Sequence, residues 1–104
     1  MKKATTKVTE IQIIPIKPHN GLLAFASFVL DNKIYLSSVG IHSKLTQDGY
    51  RLTYPTKKVS NNHIQLFHPI NKETSTLIER AIIKQYKKVM HSDDRYNSHN
   101  IATR

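Results

Sequence analysis

Two turn signals, Asn20-Gly21 and Asp31-Asn32, bracket the run Leu22 to Leu30, and this bracket constrains the fold more than any other feature. Asn-Gly is the strongest short hairpin signal because a type I′ turn needs positive φ at both central residues. Within the run, Leu22, Ala24, Ala26, Phe28 and Leu30 fall on one side, and Leu23, Phe25 and Val29 on the other. A strand apolar on both sides belongs at the centre of a sheet, under a helix or against a second subunit.

Its neighbours follow from the two turns. Val8 to Lys17 is rich in β-branched residues and reads as a strand. Its apolar phase slips between Ile11, Ile13 and Ile14, Ile16, which predicts a bulge near Pro15 and an edge position. Lys33 to Ser43 is the third strand, with Gly40 as its expected bulge. After a turn at Gln47-Asp48-Gly49, Tyr50, Leu52 and Tyr54 share an inward face, while Arg51 points to solvent. Pro55-Thr56-Lys57-Lys58 ends that strand and opens a polar loop; His63 to Phe67 forms a last short strand.

The helix that follows is the clearest element. At about 100° per residue, Ile78, Ala81, Ile82, Gln85, Tyr86 and Val89 gather on one side. Arg80, Lys84, Lys87, Lys88 and His91 gather opposite them, within about 100° of arc. Asn71 or Thr74 caps the N-terminus, and the dipole favours Glu73 at that end and the lysines toward the other. The predicted fold is α+β: an antiparallel sheet of four to five strands, then one long C-terminal helix packed on it. One domain spans 8–91, between a flexible N-terminus (1–7) and a polar, mobile tail (92–104).

The 104 residues carry sixteen Lys and Arg against seven Asp and Glu, a formal charge of +9. That balance fits a polyanionic partner, since neutralising phosphates releases condensed counterions, and it equally fits a basic surface that only aids solubility. There is no Cys, hence no disulfide, thiolate metal site or Cys nucleophile. Six His show no helical pair at zinc spacing, so no metal is expected. Carboxylates are scattered, and no Gly-rich phosphate loop or nucleophile elbow occurs. No catalytic residue, cofactor or small-molecule substrate is therefore expected. Met1 to Lys7 is not followed by a signal-type apolar run, and Leu22 to Leu30 is too short to span a membrane. The expected location is cytoplasmic.

Three segments, Ala24–Asp31, Tyr54-Pro55-Thr56-Lys57-Lys58 and His68-Pro69-Ile70-Asn71, occur in an order that resembles the stage V sporulation protein G family, the septation regulators of bacteria. The resemblance covers roughly Val8 to Tyr86. It implies an antiparallel sheet with a C-terminal helix, a homodimer formed through the sheet, and a DNA-binding regulator, with RNA binding also attributed to members. The chain departs from the family pattern at Gln12, Ile14 and Ser75, where Arg is common, and at Arg51, where an apolar residue is usual. Its tail is mixed rather than acidic. Target specificity therefore does not transfer with the fold.

On this reading the partners are DNA or RNA and a second copy of the chain. Thr56, Lys57 and Lys58 are expected to contact phosphate. Arg80, Lys84, Lys87 and Lys88 fit either a duplex backbone or the solvated face of an amphipathic helix. Arg51 suits a base edge, a phosphate or a surface salt bridge. Tyr50 and Tyr54 suit core packing better than base stacking. His68, Pro69, Ile70 and Asn71 read as structural: a His68 ring nitrogen bonds a backbone carbonyl, Pro69 fixes the chain direction and Asn71 caps the helix. The rival reading is a protein-interaction module in cell division or regulation, with a charge that only solubilises.

Overall fold

The computed structural model describes residues 5–45 and 48–102, with side chains to His91. Strands β1 (Val8–His19), β2 (Leu22–Leu30), β3 (Ile34–Ser43) and β4 (Tyr50–Thr53) form one antiparallel sheet in the order β1-β2-β3-β4. Strands β5 (Thr56–Val59) and β6 (Asn62–Gln65) form a separate two-stranded ribbon. Helix α1 spans Lys72–Ala102. The fold is α+β, as the alternation of period-two runs and one long helical run dictates.

The meander is built by its turns. Asn20 and Gly21 sit at φ 52° and 88°, and Asp31 and Asn32 at 54° and 56°; the chain reverses over two residues at the first pair and over three, Asp31 to Lys33, at the second. Asp31 is also tied to Lys7 at both ends: its N–H donates to the Lys7 carbonyl at 2.8 Å, and its carboxylate accepts from the Lys7 N–H at 2.8 Å. Of the N-terminus expected to be flexible, residues 1–4 lie outside those described.

One face of the sheet is the core. Ala24, Ala26, Phe28, Val39 and Ile41 are buried there against Ile78, Ile82 and Tyr86 of α1, with Leu52 and Tyr54 alongside. The apolar spacing of the helix accounts for this: Ile78, Ile82 and Tyr86 stand four residues apart and project from one stripe. The other face has no helix. Ile14 and Phe25 are cross-strand partners there, 59% and 37% exposed, and Tyr35 is 66% exposed. The expectation that β2 is buried on both faces therefore fails within a single chain, because the one helix covers one side.

The bulge expected near Pro15 is present, whereas the one expected at Gly40 falls elsewhere. In β1 the register shifts between Thr9 and Gln12, with Glu10 at φ 50°, and again between Pro15 and His19. The first shift brings Val8, Ile11 and Ile13 to the core side, where an unbroken alternation would separate Val8 from Ile11. In β3 the extra residue falls near Ser38 (φ 66°), and Gly40 is in register with Phe25 and Thr53. Gly40 serves close approach instead: a Cβ there would stand 2.6 Å from Thr53 Oγ1 and 3.2 Å from His42 Nε2. β1 is an edge strand, as Pro15 indicates.

The helix N-terminus is capped by Asn71, whose side-chain oxygen accepts from the Thr74 N–H at 2.8 Å. His68 Nδ1–H donates to the Pro69 carbonyl at 3.0 Å, which fixes the turn into the helix. Ile70 is 88% exposed, so the structural work of this motif rests on its other three residues. At the far end, the helix does not stop at His91 but runs on to Ala102. From Lys72 onward the sequence contains no Gly or Pro to break it, and polarity alone does not end a helix.

Candidate nucleic-acid interface

Thr56, Lys57 and Lys58 do not lie in a loop. They form most of β5, paired as Thr56↔Gln65, Lys57↔Ile64 and Lys58↔His63. Strand alternation then separates the two lysines. Thr56, Lys58, His63 and Gln65 share one face of the ribbon; Lys57, Val59, Asn62 and Ile64 share the other. Every residue of both strands is exposed. The ribbon stands away from the main sheet, and its root is fixed rather than its tip. The Leu66 N–H donates to the Pro55 carbonyl at 2.9 Å, and just below it the Tyr54 and Phe67 rings meet edge to face at 5.9 Å. Burial pushes the Tyr54 hydroxyl up to about 12, with the nearby Glu79 carboxylate adding to the effect.

Arg80, Lys84, Lys87 and Lys88 are all exposed on the side of α1 turned from the core. Their expected link to the helix dipole does not hold. With α1 ending at Ala102, Lys84 to Lys88 sit near mid-helix, and the dipole acts only over the last turn. The structure adds a cation with no counterpart among the expected residues. Lys44, at the end of β3, lines a groove of about 460 Å³ with Tyr50 on one side and Arg80, Lys84 and Lys87 on the other. Lys44 precedes a turn whose side of the sheet cannot be read from sequence. It emerges only once β4 is packed beneath the helix.

Arg51 lies elsewhere. It is exposed and directly opposite His42, on the face away from α1, since its neighbours Tyr50 and Leu52 pack toward the core. Next to it, His42 Nε2 and Thr53 Oγ1 are hydrogen-bonded at 2.9 Å, and Nδ1 is buried without a partner. Burial, and then the adjacent Arg51 charge, lower the His42 pKa. The candidate residues thus occupy three surfaces of one chain: the ribbon, the outer side of the helix and the bare face of the sheet. Tyr54 packs into the core, as its phase indicates, whereas Tyr50 packs on Tyr86 (5.1 Å, edge to face) and also borders the groove. Among the described residues, no three metal-ligating side chains come together, and no helix is long and apolar enough to cross a membrane.

Comparison with known proteins fits this architecture. The SpoVG family pattern matches residues 6–88, from the start of the sheet to the middle of α1. A protein of Treponema denticola named as septation protein SpoVG is 28% identical over 83 residues, covering 79% of this chain and 87% of its own. Its namesake in Bdellovibrio bacteriovorus is 30% identical over 87 residues, covering 83% and 78%. That of Clostridium perfringens is 26% identical, covering 83% and 94%. The chain belongs to the SpoVG family, whose members carry the name of septation proteins.

Proposed function

We propose that this protein is a regulator that binds nucleic acid through phosphate contacts, with the β5–β6 ribbon as its principal grip. The observation that carries the reading is the ribbon itself. It is an exposed two-stranded arm with a lysine on each face, held at its root by an aromatic pair. Two-stranded ribbons fit nucleic-acid grooves, and lysines on opposite faces can meet the phosphates of two different backbone segments. His63 beside Lys58 adds a polar donor to one face. The mid-helix cations add a second locus that the dipole does not explain.

The protein acts as a homodimer through the bare face of its sheet. The Ile14–Phe25 pair and Tyr35 are exposed apolar side chains there, and a second copy would bury them. Dimerisation also brings two ribbons into one assembly. The reading assigns no catalytic role to any residue.

The test is fluorescence anisotropy with purified protein freed of nucleic acid, against DNA and RNA over a range of salt. Affinity is expected to fall linearly on logarithmic axes, with a slope near −0.9 per duplex phosphate neutralised. Absence of binding to both at low salt would overturn the reading in favour of a protein-interaction module in cell division or regulation.

A further inference from the structure

We propose that the groove that Lys44, Gly49 and Tyr50 form with α1 is a site for a single nucleic-acid strand, with phosphates held by Lys44, Arg80, Lys84 and Lys87 and one base laid on Tyr50. This rests on the nucleic-acid reading above, and adds to it a strand type and a place.

The first property of the groove is its charge. Four cations border the groove, against the carboxylate of Glu79 within it and that of Asp48 in the adjoining depression. The excess is positive, and the cations come from two separate elements that face each other across a concavity. Such a placement focuses potential more than a convex helix face does.

The second is size. The groove holds about 460 Å³, and the adjoining depression, which shares Lys44, Tyr50 and Lys87, about 580 Å³. These are volumes of small-ligand sites. A duplex, whose major groove alone is about 12 Å wide, can only rest across such an opening. A single strand can enter it. Arg80 to Lys87 covers about 10 Å of helix axis, which spans roughly three phosphates of a stacked strand.

The third is the ring. Tyr50 is half-buried and borders both depressions. Its contact with Tyr86 is edge to face, at 69° between planes, and such a contact occupies at most one face of the Tyr50 ring. Base stacking on an aromatic ring tolerates any sequence, which suits a strand held mainly by its backbone. Lys44 is also placed rather than loose. Its N–H donates to the Gly49 carbonyl at 3.1 Å, and its side-chain stem lies across Gly49, where a Cβ would come within 3.6 Å of Cδ.

The experiment compares a labelled oligothymidylate, an oligouridylate and a duplex of matched length, using the full chain and its variants Lys44→Glu, Tyr50→Leu and Tyr50→Phe. Unfolding midpoints are recorded alongside. Lys44→Glu is expected to weaken both single strands by more than it weakens the duplex, and to lower their salt slope by about 0.7 or more. Tyr50→Leu is expected to weaken them about tenfold, and Tyr50→Phe to restore parental binding. Equal losses on single strand and duplex, or no loss with Lys44→Glu, would overturn the groove assignment while leaving the ribbon reading intact. A parent that binds none of the three probes would overturn both.

Discussion

The body of this molecule and its ribbon are made by opposite rules. In the body, Ala24, Ala26, Phe28, Val39 and Ile41 are buried by one helix stripe, and the hydrophobic effect chooses which side chains go where. In the β5–β6 ribbon all eight strand residues are exposed, and two strands alone are marginally stable in water. The ribbon holds its shape because its root is fastened to the body at Tyr54 and Phe67. One region supplies stability and the other supplies reach. Substitutions should therefore separate cleanly into those that unfold the chain and those that change only what it binds.

The largest expected effect lies in the body. Phe28 is fully buried between sheet and helix, and Phe28→Ala should destabilise by about 3–5 kcal/mol in equilibrium urea unfolding. A loss below about 1 kcal/mol would mean that the body is not organised around this side chain. Next comes the helix start. Asn71→Ala removes the acceptor for the Thr74 N–H and should lower stability by about 1 kcal/mol, with Asn71→Asp retaining most of it. Equal losses in both variants would contradict the cap.

The junction between the two regions has a pH signature. The Tyr54 hydroxyl is raised to about 12, against an ordinary value near 10. The unfolded chain therefore ionises first, and the Tyr54 contribution to stability is complete below about pH 10 and is lost as pH rises from there toward 12. Tyr54→Phe should remove that component of alkaline destabilisation. Because the buried hydroxyl has no hydrogen-bond partner, the variant should be as stable as the parent at neutral pH, or more so. A parent and variant that lose stability in parallel above pH 10 would show that the root of the ribbon is not buried as described.

Much of the body was legible in the sequence, for local reasons. Asn20-Gly21 and Asp31-Asn32 carry the positive φ that their turns need, and each turn joins two strands that pair antiparallel. Asn71 and His68 make their bonds within one to three residues along the chain. The ribbon was not legible as a ribbon. Neither face of Thr56–Val59 is buried, so nothing imposes an apolar period, and a paired strand then looks like a polar loop. The bulge near Pro15 was legible from the slip in apolar phase, but the irregularities at Glu10 and Ser38 were not. Glu10 and Ser38 adopt positive φ without being Gly, so no glycine marks the register shifts they accompany. The end of α1 was hidden by a polar composition that contains no helix breaker. At the candidate site, the helix cations could be read from their period, but Lys44 could not be joined to them, since that contact depends on how β4 lies beneath the helix.

The contrast between body and ribbon is tested most directly by the double variant Lys57→Ala/Lys58→Ala, measured for stability and for nucleic-acid affinity on the same preparation. Both side chains are exposed and on opposite faces of β5. Stability should stay within about 0.5 kcal/mol of the parent, while duplex affinity falls and the salt slope shrinks by about two units. Unchanged affinity and an unchanged slope, with the fold intact, would contradict the account.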